Sequence, residues 1–392
     1  MFYLNALGMI CALGRNLEGI KSTLLDSQKS GVEMTQRYST GRPVALGQAD
    51  FELPWITHLP LKYRSRANQL ALAALSQIKQ NIDSAIDKYG ADRIAIVIGT
   101  SASGIAESEA AIKRYILKRS FPDNFHYEQQ ELGSPASMLA ATLGVKGPVY
   151  VHSSACTSSA KAMASAARLL KMNSCDAVIT GGVDSLSAYV VSGFLALESV
   201  SAKRCNPLSV NRCGINLGEG AALFLMTRES AKVALKGWGE SSDGYHISAP
   251  DPEGKGAKIA IEKALKRAGI TAGKIDYINM HGTGTIQNDL MESKVILALF
   301  GDGTLVSSTK SMTGHTLGAA GAIEAGLCWI VMQDDNVKGR VPPHIWDGKQ
   351  DPLLPNLNVA EPGSALGRNM QWCLSSSFAF GGSNAVLVLG KE

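Results

Sequence analysis

The chain has 392 residues, of which 45% are hydrophobic and 18% are charged, and 38 lysines and arginines against 34 aspartates and glutamates give a formal net charge of +4. The apolar content excludes a disordered chain, and the low charged fraction excludes a coiled coil. A net charge of +4 is too weak to indicate a nucleic acid partner. The composition therefore predicts a soluble globular enzyme.

The cysteines and the apolar stretches predict the compartment. Seven cysteines are present, an odd number, and none forms a CxxC pair, which fits neither a disulfide framework nor a structural zinc site. The apolar stretch 1–14 has no basic region ahead of it, because the first positive charge is Arg15. The apolar stretch 317–332 contains Glu324 and is too short to span a bilayer. We therefore expect a cytoplasmic protein without a signal peptide or membrane span.

Strand-like and helix-like segments alternate along the chain. Apolar runs bounded by small residues predict strands at 93–99, 149–153, 177–180, 221–226, 275–280, 304–308 and 385–389. Apolar residues at helical spacing predict helices at 68–89, 158–172, 256–268 and 319–332. This alternation is typical of an α/β fold whose strands are mostly buried.

Two segments of the chain resemble each other. Both 150–167 and 305–324 run from a strand through a tight turn into a helix rich in alanine and glycine, and the low charge of these helices indicates burial on every side. They predict a duplicated α/β unit whose halves meet near 230–244. No Pro- or Ser-rich linker separates the halves, so we expect them to share one body.

Cys156 lies in the turn 153–159 (SSACTSS), between a predicted strand and a predicted helix. A helix N-terminus stabilises a thiolate, so we expect a lowered pKa for this thiol. The adjacent backbone N–H groups would point at an oxyanion formed on its substrate. A buried structural cysteine is the alternative interpretation.

Two histidines lie in glycine-rich turns of the same kind. His281 opens 281–285 (HGTGT) after a predicted strand, and His315 ends 310–315 (KSMTGH) before a predicted helix. Neither has a metal-ligand neighbour at i+3 or i+4, so we expect no zinc site. Each could be an ordinary buried polar residue, but histidines together with a cysteine are a recurrent arrangement for acyl chemistry.

Three other motifs allow more than one interpretation. Asp289 and Glu292 could share a helix face beside the histidine loop, or act as capping or solvated carboxylates. The segment 181–184 (GGVD) could bind phosphate, but without a phosphate-loop signature a tight turn is the better interpretation. The segment 378–384 (FAFGGSN) indicates either a mobile aromatic side chain near a site or a plain strand and turn.

The motifs around Cys156, His281 and 310–324 together resemble the β-ketoacyl–acyl-carrier-protein synthases. The resemblance runs from Gly8 to Leu389 and fits the elongating types better than the initiating type, which pairs cysteine with histidine and asparagine. It implies the thiolase fold: two similar halves stacked as a five-layer α-β-α-β-α sandwich, and usually a dimer. We divide the halves at 1–235 and 236–392.

The resemblance also implies a reaction. Cys156 would accept an acyl group, and His281 and His315 would hold the thioester oxygen of a malonyl group on a carrier protein while it loses carbon dioxide. The resulting carbanion would attack the acyl group and give a β-ketoacyl carrier protein. The backbone N–H groups of Cys156 and Phe380 would form the oxyanion hole, and Phe380 would gate the pocket.

Supporting roles follow from the same resemblance. Lys310 would orient and tune His315, and Glu324, Asp289 and Glu292 would support this network. Thr283 and Thr285 match the threonines that bind the pantetheine arm. The family has no tightly bound cofactor and no metal, because phosphopantetheine arrives on the carrier protein.

The carrier protein is acidic, so we expect basic residues at its docking site. Lys62, Arg64 and Arg66 match an early basic segment of the family and are the predicted docking residues. An ordinary solvated helix start is the alternative interpretation of this segment.

Two segments depart from the family pattern. In 207–215 (PLSVNRCGI) Ser209, Cys213 and Ile215 stand where the family has two aspartates and a phenylalanine, and 99–105 (GTSASGI) also differs. These departures suggest a specialised synthase for a polyketide or polyene.

Two related functions remain as alternatives. The chain could be a chain-length factor, a partner subunit that shapes the pocket of an active synthase, although such subunits usually lack the nucleophile. A degradative thiolase would need a Cys-x-Gly motif, and Cys373 is followed by Leu374 and Ser375. The partner in a dimer could be a second copy, a related synthase or a chain-length factor.

Overall fold

The computed structural model describes residues 1–26, 29–39 and 41–392. The strands are β1 (Phe2–Cys11), β2 (Val32–Thr35), β3 (Val44–Gly47), β4 (Ile94–Gly99), β5 (Val149–His152), β6 (Ala177–Asp184), β7 (Gly220–Thr227), β8 (Val233–Ser242), β9 (Tyr277–Asn279), β10 (Leu305–Ser307), β11 (Asn358–Val359), β12 (Trp372–Ala379) and β13 (Ser383–Lys391). The α-helices are α1 (Leu17–Leu24), α2 (Arg66–Tyr89), α3 (Ile105–Lys118), α4 (Ser134–Leu143), α5 (Ser158–Lys171), α6 (Ala188–Ala196), α7 (Lys255–Ala268), α8 (Ile286–Phe300), α9 (Lys310–Thr313) and α10 (Ala320–Val331).

The strand order shows the duplication directly. Within the described residues, eleven strands form one mixed sheet in the order β11-β10-β9-β12-β13-β8-β1-β7-β6-β4-β5, while β2 and β3 pair separately. Numbered along the chain within each half, β5-β4-β6-β7-β1 and β10-β9-β12-β13-β8 both read 3-2-4-5-1. The halves join where β1 pairs antiparallel with β8, at Phe2 opposite Leu235 and Tyr3 opposite Ala234. This repeated order confirms the predicted thiolase-like fold.

The helices complete five layers. Helices α2 and α4 cover the outer face of the first half-sheet, and α7 packs on β8 and β13 of the second, with α8 beside it. Between the half-sheets lie α5, which packs on β4 and β6, and α10, which packs on both β7 and β12. Nearly every residue of α10 is buried, including Glu324. The low charge of the chain is explained by this central layer, because its helices have almost no face in water.

All seven predicted strands and all four predicted helices are present, with ends that differ by a few residues. The sequence prediction missed the other six strands: β1, β2, β3, β8, β11 and β12. Strand β1 is buried along most of its length, so its sequence is a continuous apolar run without the alternation that marks a half-exposed strand. The predicted junction at 230–244 is occupied by β8, and the boundary after residue 235 falls within that strand. The strand order assigns all of β8 to the second half.

One motif was assigned wrongly. Residues 181–184, interpreted as a tight turn, are the last four residues of β6 and are fully buried. In the part of the chain that the structure describes, no helix is both long enough and apolar enough to cross a membrane.

Close packing of α5 on the first half-sheet depends on glycine. A Cβ on Gly99, at the end of β4, would lie 2.2 Å from the backbone nitrogen of Ser159, and one on Gly182 would lie 2.5 Å from the Ser159 Cβ. Distances this short cannot be relieved by rotating a side chain at Gly99, because the obstacle is backbone. The glycines therefore set how near α5 lies to the sheet.

We expect Gly99→Ala to lower the free energy of unfolding by about 1–3 kcal/mol, the usual cost of overpacking a core. Urea denaturation of the purified protein measures this. Gly303→Ala is the matched control, because a Cβ there meets no atom within 4 Å, and we expect its effect to stay within about 0.5 kcal/mol. Equal stability of the two variants would contradict the packing argument.

Candidate active site

Cys156 lies on a strained turn between β5 and α5. The preceding residue, Ala155, has a left-handed backbone conformation with φ of +50°, which is costly for a residue with a Cβ. Two hydroxyls hold the turn: Ser158 Oγ accepts from the Ser154 N–H at 2.9 Å and donates to the Ala155 carbonyl, and Thr157 Oγ1 donates to the Ser154 carbonyl at 2.7 Å. The thiol is therefore fixed just before the first turn of α5, with 7% of the residue exposed.

His281 follows β9 on a loop that a buried carboxylate shapes. Glu292, in the second turn of α8, accepts from the backbone N–H groups of His281 and Gly282, each at 2.7 Å, and from the Ser376 hydroxyl at 2.7 Å. Burial raises the pKa of Glu292. Gly282 and Gly284 have φ of +40° and +78°, a left-handed backbone conformation that favours glycine at both positions.

His315 has a defined tautomer. Its Nδ1 accepts a hydrogen bond from the backbone N–H of Leu317 at 3.3 Å. A backbone N–H can only donate, so the proton of the neutral ring is on Nε2. Nε2 lies 3.0 Å from Cys156 Sγ, and the His281 ring stands edge-on to the His315 ring with centroids 5.3 Å apart. The two halves of the molecule thus bring the cysteine and both histidines into one cluster.

The pKa of the Cys156 thiol is higher than the sequence predicts. Burial raises it to about 12, although Lys310 and the backbone N–H groups of Phe380 and Cys156 act in the opposite direction. The expected lowering by the helix N-terminus is therefore wrong, because desolvation of the thiolate outweighs it. Burial and the positive charge of Lys310 hold the pKa of both His281 and His315 well below the usual range. Both imidazoles are neutral at pH 7.

Lys310 and Glu324 form a buried ion pair beside the histidines. Lys310 is 1% exposed and Glu324 is 2% exposed. Burial raises the pKa of Glu324 to about 7, and the neighbouring Lys310 opposes that rise. Lys310 acts on His315 through its charge, since its ammonium is hydrogen-bonded to Glu324. The Lys310 ammonium therefore places a localised positive charge next to Cys156, His281 and His315.

A cavity of about 220 Å³ opens next to the thiol. Its lining is mostly small and apolar: Ser101, Ala102, Ala155, Cys156, Val190, Phe194, Leu317 and Phe380. The rings of Phe194 and Phe380 face each other with centroids 6.0 Å apart. Only Cys156 among the lining residues carries a nucleophile strong enough for acyl chemistry, so the cavity is suited to hold an apolar chain attached to the sulfur.

The loop that carries Thr283 and Thr285 is tied to a second loop, residues 205–215. The two threonine hydroxyls lie 2.9 Å apart. Asp289 accepts from the N–H of Gly284 at 3.2 Å and from the N–H of Leu208 at 2.9 Å. Asp289 and Glu292 are both fully buried, so each supports a loop and neither is a solvated carboxylate.

Loop 205–215 is where the sequence departs from the family pattern, and the second half supplies its anchors. Arg212 pairs with Asp351 at 2.5 Å, and the Ser209 hydroxyl donates to Asp347 at 2.8 Å. The buried His344 accepts from the Ser308 N–H at 3.0 Å and contacts the Pro207 carbonyl at 2.9 Å through Nε2. None of these three anchors was predicted, because they come from an irregular segment about 140 residues downstream.

The predicted docking residues are only partly available to a partner. Arg66 is directed inward, where its guanidinium binds the buried Glu219 at 2.5 Å and 2.8 Å. Lys62 pairs with Glu128 at 3.2 Å, and Arg64 Nε donates to the Leu59 carbonyl at 2.8 Å. The prediction is therefore corrected for Arg66, because a buried carboxylate already binds its charge. Lys62 and Arg64 stay at the surface.

The clustered cysteine and histidines also form a possible metal donor set. The ligand atoms of Cys156, His281 and His315 lie within 4.8 Å of one another, and two imidazoles with a thiolate are ligands that zinc prefers. The argument from sequence spacing could not detect this set, because its members come from separate turns. The positive charge of Lys310, which acts on all three groups, opposes a second cation and favours an anionic species at this point.

Family models and relatives agree on the class of protein. Residues 8–232 match the N-terminal domain of β-ketoacyl synthase, and residues 233–344 match its C-terminal domain. A 3-oxoacyl-[acyl-carrier-protein] synthase 2 of Staphylococcus aureus (strain COL) is 33% identical over 83% of this chain and 82% of its own. The enzyme of the same name from Coxiella burnetii is 32% identical over 99% of this chain and 98% of its own.

Solved structures extend the comparison to the whole chain. A chain from the complex of the ketosynthase ApeO with its chain length factor ApeC, from Xenorhabdus doucetiae, is 43% identical, with a TM-score of 0.94 and coverage of 100% of this chain and 98% of that chain. The ishigamide ketosynthase/chain length factor is 25% identical, with a TM-score of 0.89 and coverage of 100% and 99%. The fold, the clustered residues and these matches lead to one conclusion: the chain belongs to the β-ketoacyl synthase family.

Proposed function

We propose that this chain catalyses decarboxylative condensation of an acyl group held on Cys156 with a malonyl group on a carrier protein. The observation that carries the proposal is the convergence of Cys156 Sγ, His281 and His315 beside an apolar cavity. Each part of that cluster matches one requirement of the reaction: a nucleophile, donors for an enolate oxygen, and space for an acyl chain.

The first step is transfer of the acyl group. The Cys156 sulfur attacks the thioester carbonyl, whose oxygen becomes negative within reach of the N–H groups of Cys156 and Phe380. The carbon–sulfur bond to the carrier then breaks. Because His315 Nε2 already carries a proton, the Cys156 proton does not remain on that ring; it ends on the departing carrier thiol, and the exchange is balanced.

The second step uses the histidines. The thioester oxygen of the malonyl group accepts hydrogen bonds from Nε2 of His281 and His315, which stabilises the enolate formed as carbon dioxide leaves. The enolate carbon attacks the acyl carbonyl on Cys156, and the sulfur leaves as a thiolate. Neutral imidazoles suit this role, since they donate without giving up their proton. Lys310 adds positive charge behind them, and Glu324 limits that charge.

The active role is favoured over that of a chain-length factor, because this chain has the nucleophile and both histidines. A second chain remains part of the proposal, as in the ApeO–ApeC complex. The exposed apolar residues of α3 and the loop after it, together with the edge strand β5, provide a face for it: Ile112, Ile116, Leu117 and Phe121 are each about half exposed or more. We propose a specialised elongation pathway in the cytoplasm, with no cofactor beyond the carrier's phosphopantetheine.

The carrier protein would approach the loops at residues 205–215 and 283–285. Thr283 and Thr285 would contact the pantetheine arm. Lys203 and Arg204 are exposed and directly precede Cys205, whose Cβ lies 3.6 Å from the position of a Cβ on Gly284. We therefore add these two cations to Lys62 and Arg64 as the surface for an acidic carrier.

His281→Ala should lower the rate of malonyl decarboxylation by about 10²–10³, the usual loss for an oxyanion donor. Cys156 should still accept an acyl group, because that step uses the backbone N–H groups. Carbon dioxide release and intact-mass spectrometry measure the two steps, and His58→Ala, at an exposed histidine, is the control. Normal decarboxylation by His281→Ala would refute the assigned role, and a wild-type protein that no acyl thioester loads would refute the proposed function.

The raised pKa of Cys156 predicts a pH dependence. Below a pKa of about 12 the thiol is protonated, so each rise of one pH unit increases the thiolate fraction about tenfold. Alkylation of Cys156 by iodoacetamide should rise accordingly from pH 7 to pH 9, measured on the Cys156 peptide by mass spectrometry. The exposed Cys213 serves as a reference thiol in the same sample. A plateau below pH 8 would show that the resting site holds a thiolate.

Charge reversal at the docking surface should weaken carrier binding. The double variant Lys203→Glu and Arg204→Glu should raise KM for an acyl carrier protein roughly fivefold while leaving turnover of a small free thioester unchanged. Lys274→Glu, at an exposed lysine of the second half, is the control and should behave like the wild type. Equal KM values for the double variant and the control would exclude this surface.

A further inference from the structure

The turn that carries Phe380 is connected to the turn that carries Cys156 by side-chain hydrogen bonds. Ser383, the first residue of β13, lies three residues after Phe380, and its Oγ is 2.9 Å from Thr157 Oγ1. Lys161, in the first turn of α5, donates from Nζ to the same Ser383 Oγ at 2.6 Å. These contacts cross from the first half of the molecule to the second.

The direction of each hydrogen bond follows from the groups involved. An ammonium can only donate, so Ser383 Oγ accepts from Lys161. Thr157 directs its one hydroxyl proton to the Ser154 carbonyl at 2.7 Å, which can only accept. The Ser383 hydroxyl therefore donates to Thr157 Oγ1. The result is a directed chain from Lys161 through Ser383 and Thr157 to the backbone of Ser154.

The burial of Lys161 indicates that this contact matters. Its side chain is partly buried, and burial together with the nearby Arg168 lowers its pKa. Within the part of the chain that the structure describes, no carboxylate forms a salt bridge with Lys161, and its hydrogen bond goes to Ser383. Burying half of a cation without a carboxylate partner costs free energy. The position of Lys161 is therefore better explained by its hydrogen bond to Ser383.

The turn between β12 and β13 carries the N–H that lies beside the cysteine sulfur. Gly381 and Gly382 have φ of +83° and +73°, and glycine gives the backbone more freedom than any other residue. The N–H of Phe380 precedes this pair and faces Cys156 Sγ. Backbone hydrogen bonds join Gly381 and Gly382 to Ile247 and Asp243, and these hold the tip of the turn within the second half. The Ser383 hydroxyl is the contact that ties this turn to the Cys156 turn of the first half, and so it affects where the Phe380 N–H lies relative to the sulfur.

We infer that Lys161 and Ser383 are positioning residues that hold the Phe380 N–H at the oxyanion of the acyl-transfer step. The inference rests on the proposed function and adds to it a connection between the two halves. Neither side chain touches the reacting atoms. Both act indirectly, by joining the backbone turn that carries Phe380 to the backbone turn that carries Cys156.

The test compares Ser383→Ala and Lys161→Met with Ser383→Thr, which keeps the hydroxyl. Two rates are measured at one pH: acylation of Cys156 by a hexanoyl thioester of N-acetylcysteamine, and alkylation of Cys156 by iodoacetamide. Alkylation needs no oxyanion hole and depends on the Phe380 N–H only through its minor stabilisation of the thiolate. It should therefore fall much less than acylation when only the position of that N–H changes. We expect Ser383→Ala and Lys161→Met to slow acylation roughly tenfold and to leave alkylation within about twofold of wild type. We expect Ser383→Thr to acylate at close to the wild-type rate.

Two results would overturn the inference. One is wild-type acylation by Ser383→Ala and Lys161→Met. The other is an equal loss of acylation and alkylation, which would show a general structural role. The proposed function fails separately, if the wild-type protein is alkylated at Cys156 yet accepts no acyl group from this or any carrier-bound thioester.

Discussion

One buried carboxylate organises the active site. Asp184, at the end of β6, accepts hydrogen bonds from the N–H groups of Ser101 and Ala102 at 2.9 Å and 2.8 Å, and from the hydroxyls of Thr100 and Ser101 at 2.5 Å and 2.7 Å. It also accepts from the N–H of Gly318 at 2.7 Å, in the turn that leads into α10. The carboxylate thus binds the floor of the cavity and the start of a helix from the other half. A charge without water is stable only with such a full set of donors, so the loop, the strand and the helix hold one arrangement.

The duplicated fold explains why the site contains two matching turns. Ala155 and Leu317 both have a left-handed backbone, with φ of +50° and +54°, and each lies three residues before a central helix, α5 or α10. One turn presents Cys156 and the other follows His315. Surrounding hydrogen bonds hold each strained turn: those of the Thr157 and Ser158 hydroxyls at the first turn, and the one that the Gly318 N–H donates to Asp184 at the second. The active site therefore lies between two copies of the same kind of turn, one of which carries Cys156 and the other His315.

Burial decides the electrostatics of this site. It raises the pKa of Cys156 to about 12 and of Glu324 to about 7, and it lowers the pKa of His281 and His315. Each group is thereby moved toward its neutral form, and Lys310 supplies the concentrated positive charge. Such a site disfavours a resting charge on the cysteine and the two histidines. It would stabilise the negative charge that forms in the proposed reaction, because the donors are already in place. In loop 205–215 a buried cation is paired instead, since Asp351 and Asp289 lie against Arg212.

The sequence by itself predicted the repeated α/β units, the glycine turns, and the cysteine and two histidines that the structure brings together, because these depend on local spacing and residue type. It also sufficed for four helices, α2, α5, α7 and α10, and for seven strands. Strand β1 was missed, since burial on both faces removes the alternation that marks a strand. Only the tertiary structure decided the inward direction of Arg66, the raised pKa of Cys156, the anchors from His344 to Asp351 and the Lys161–Ser383 contact. These depend on segments far apart in the chain and on the exclusion of water, and neither is encoded in the spacing of neighbouring residues.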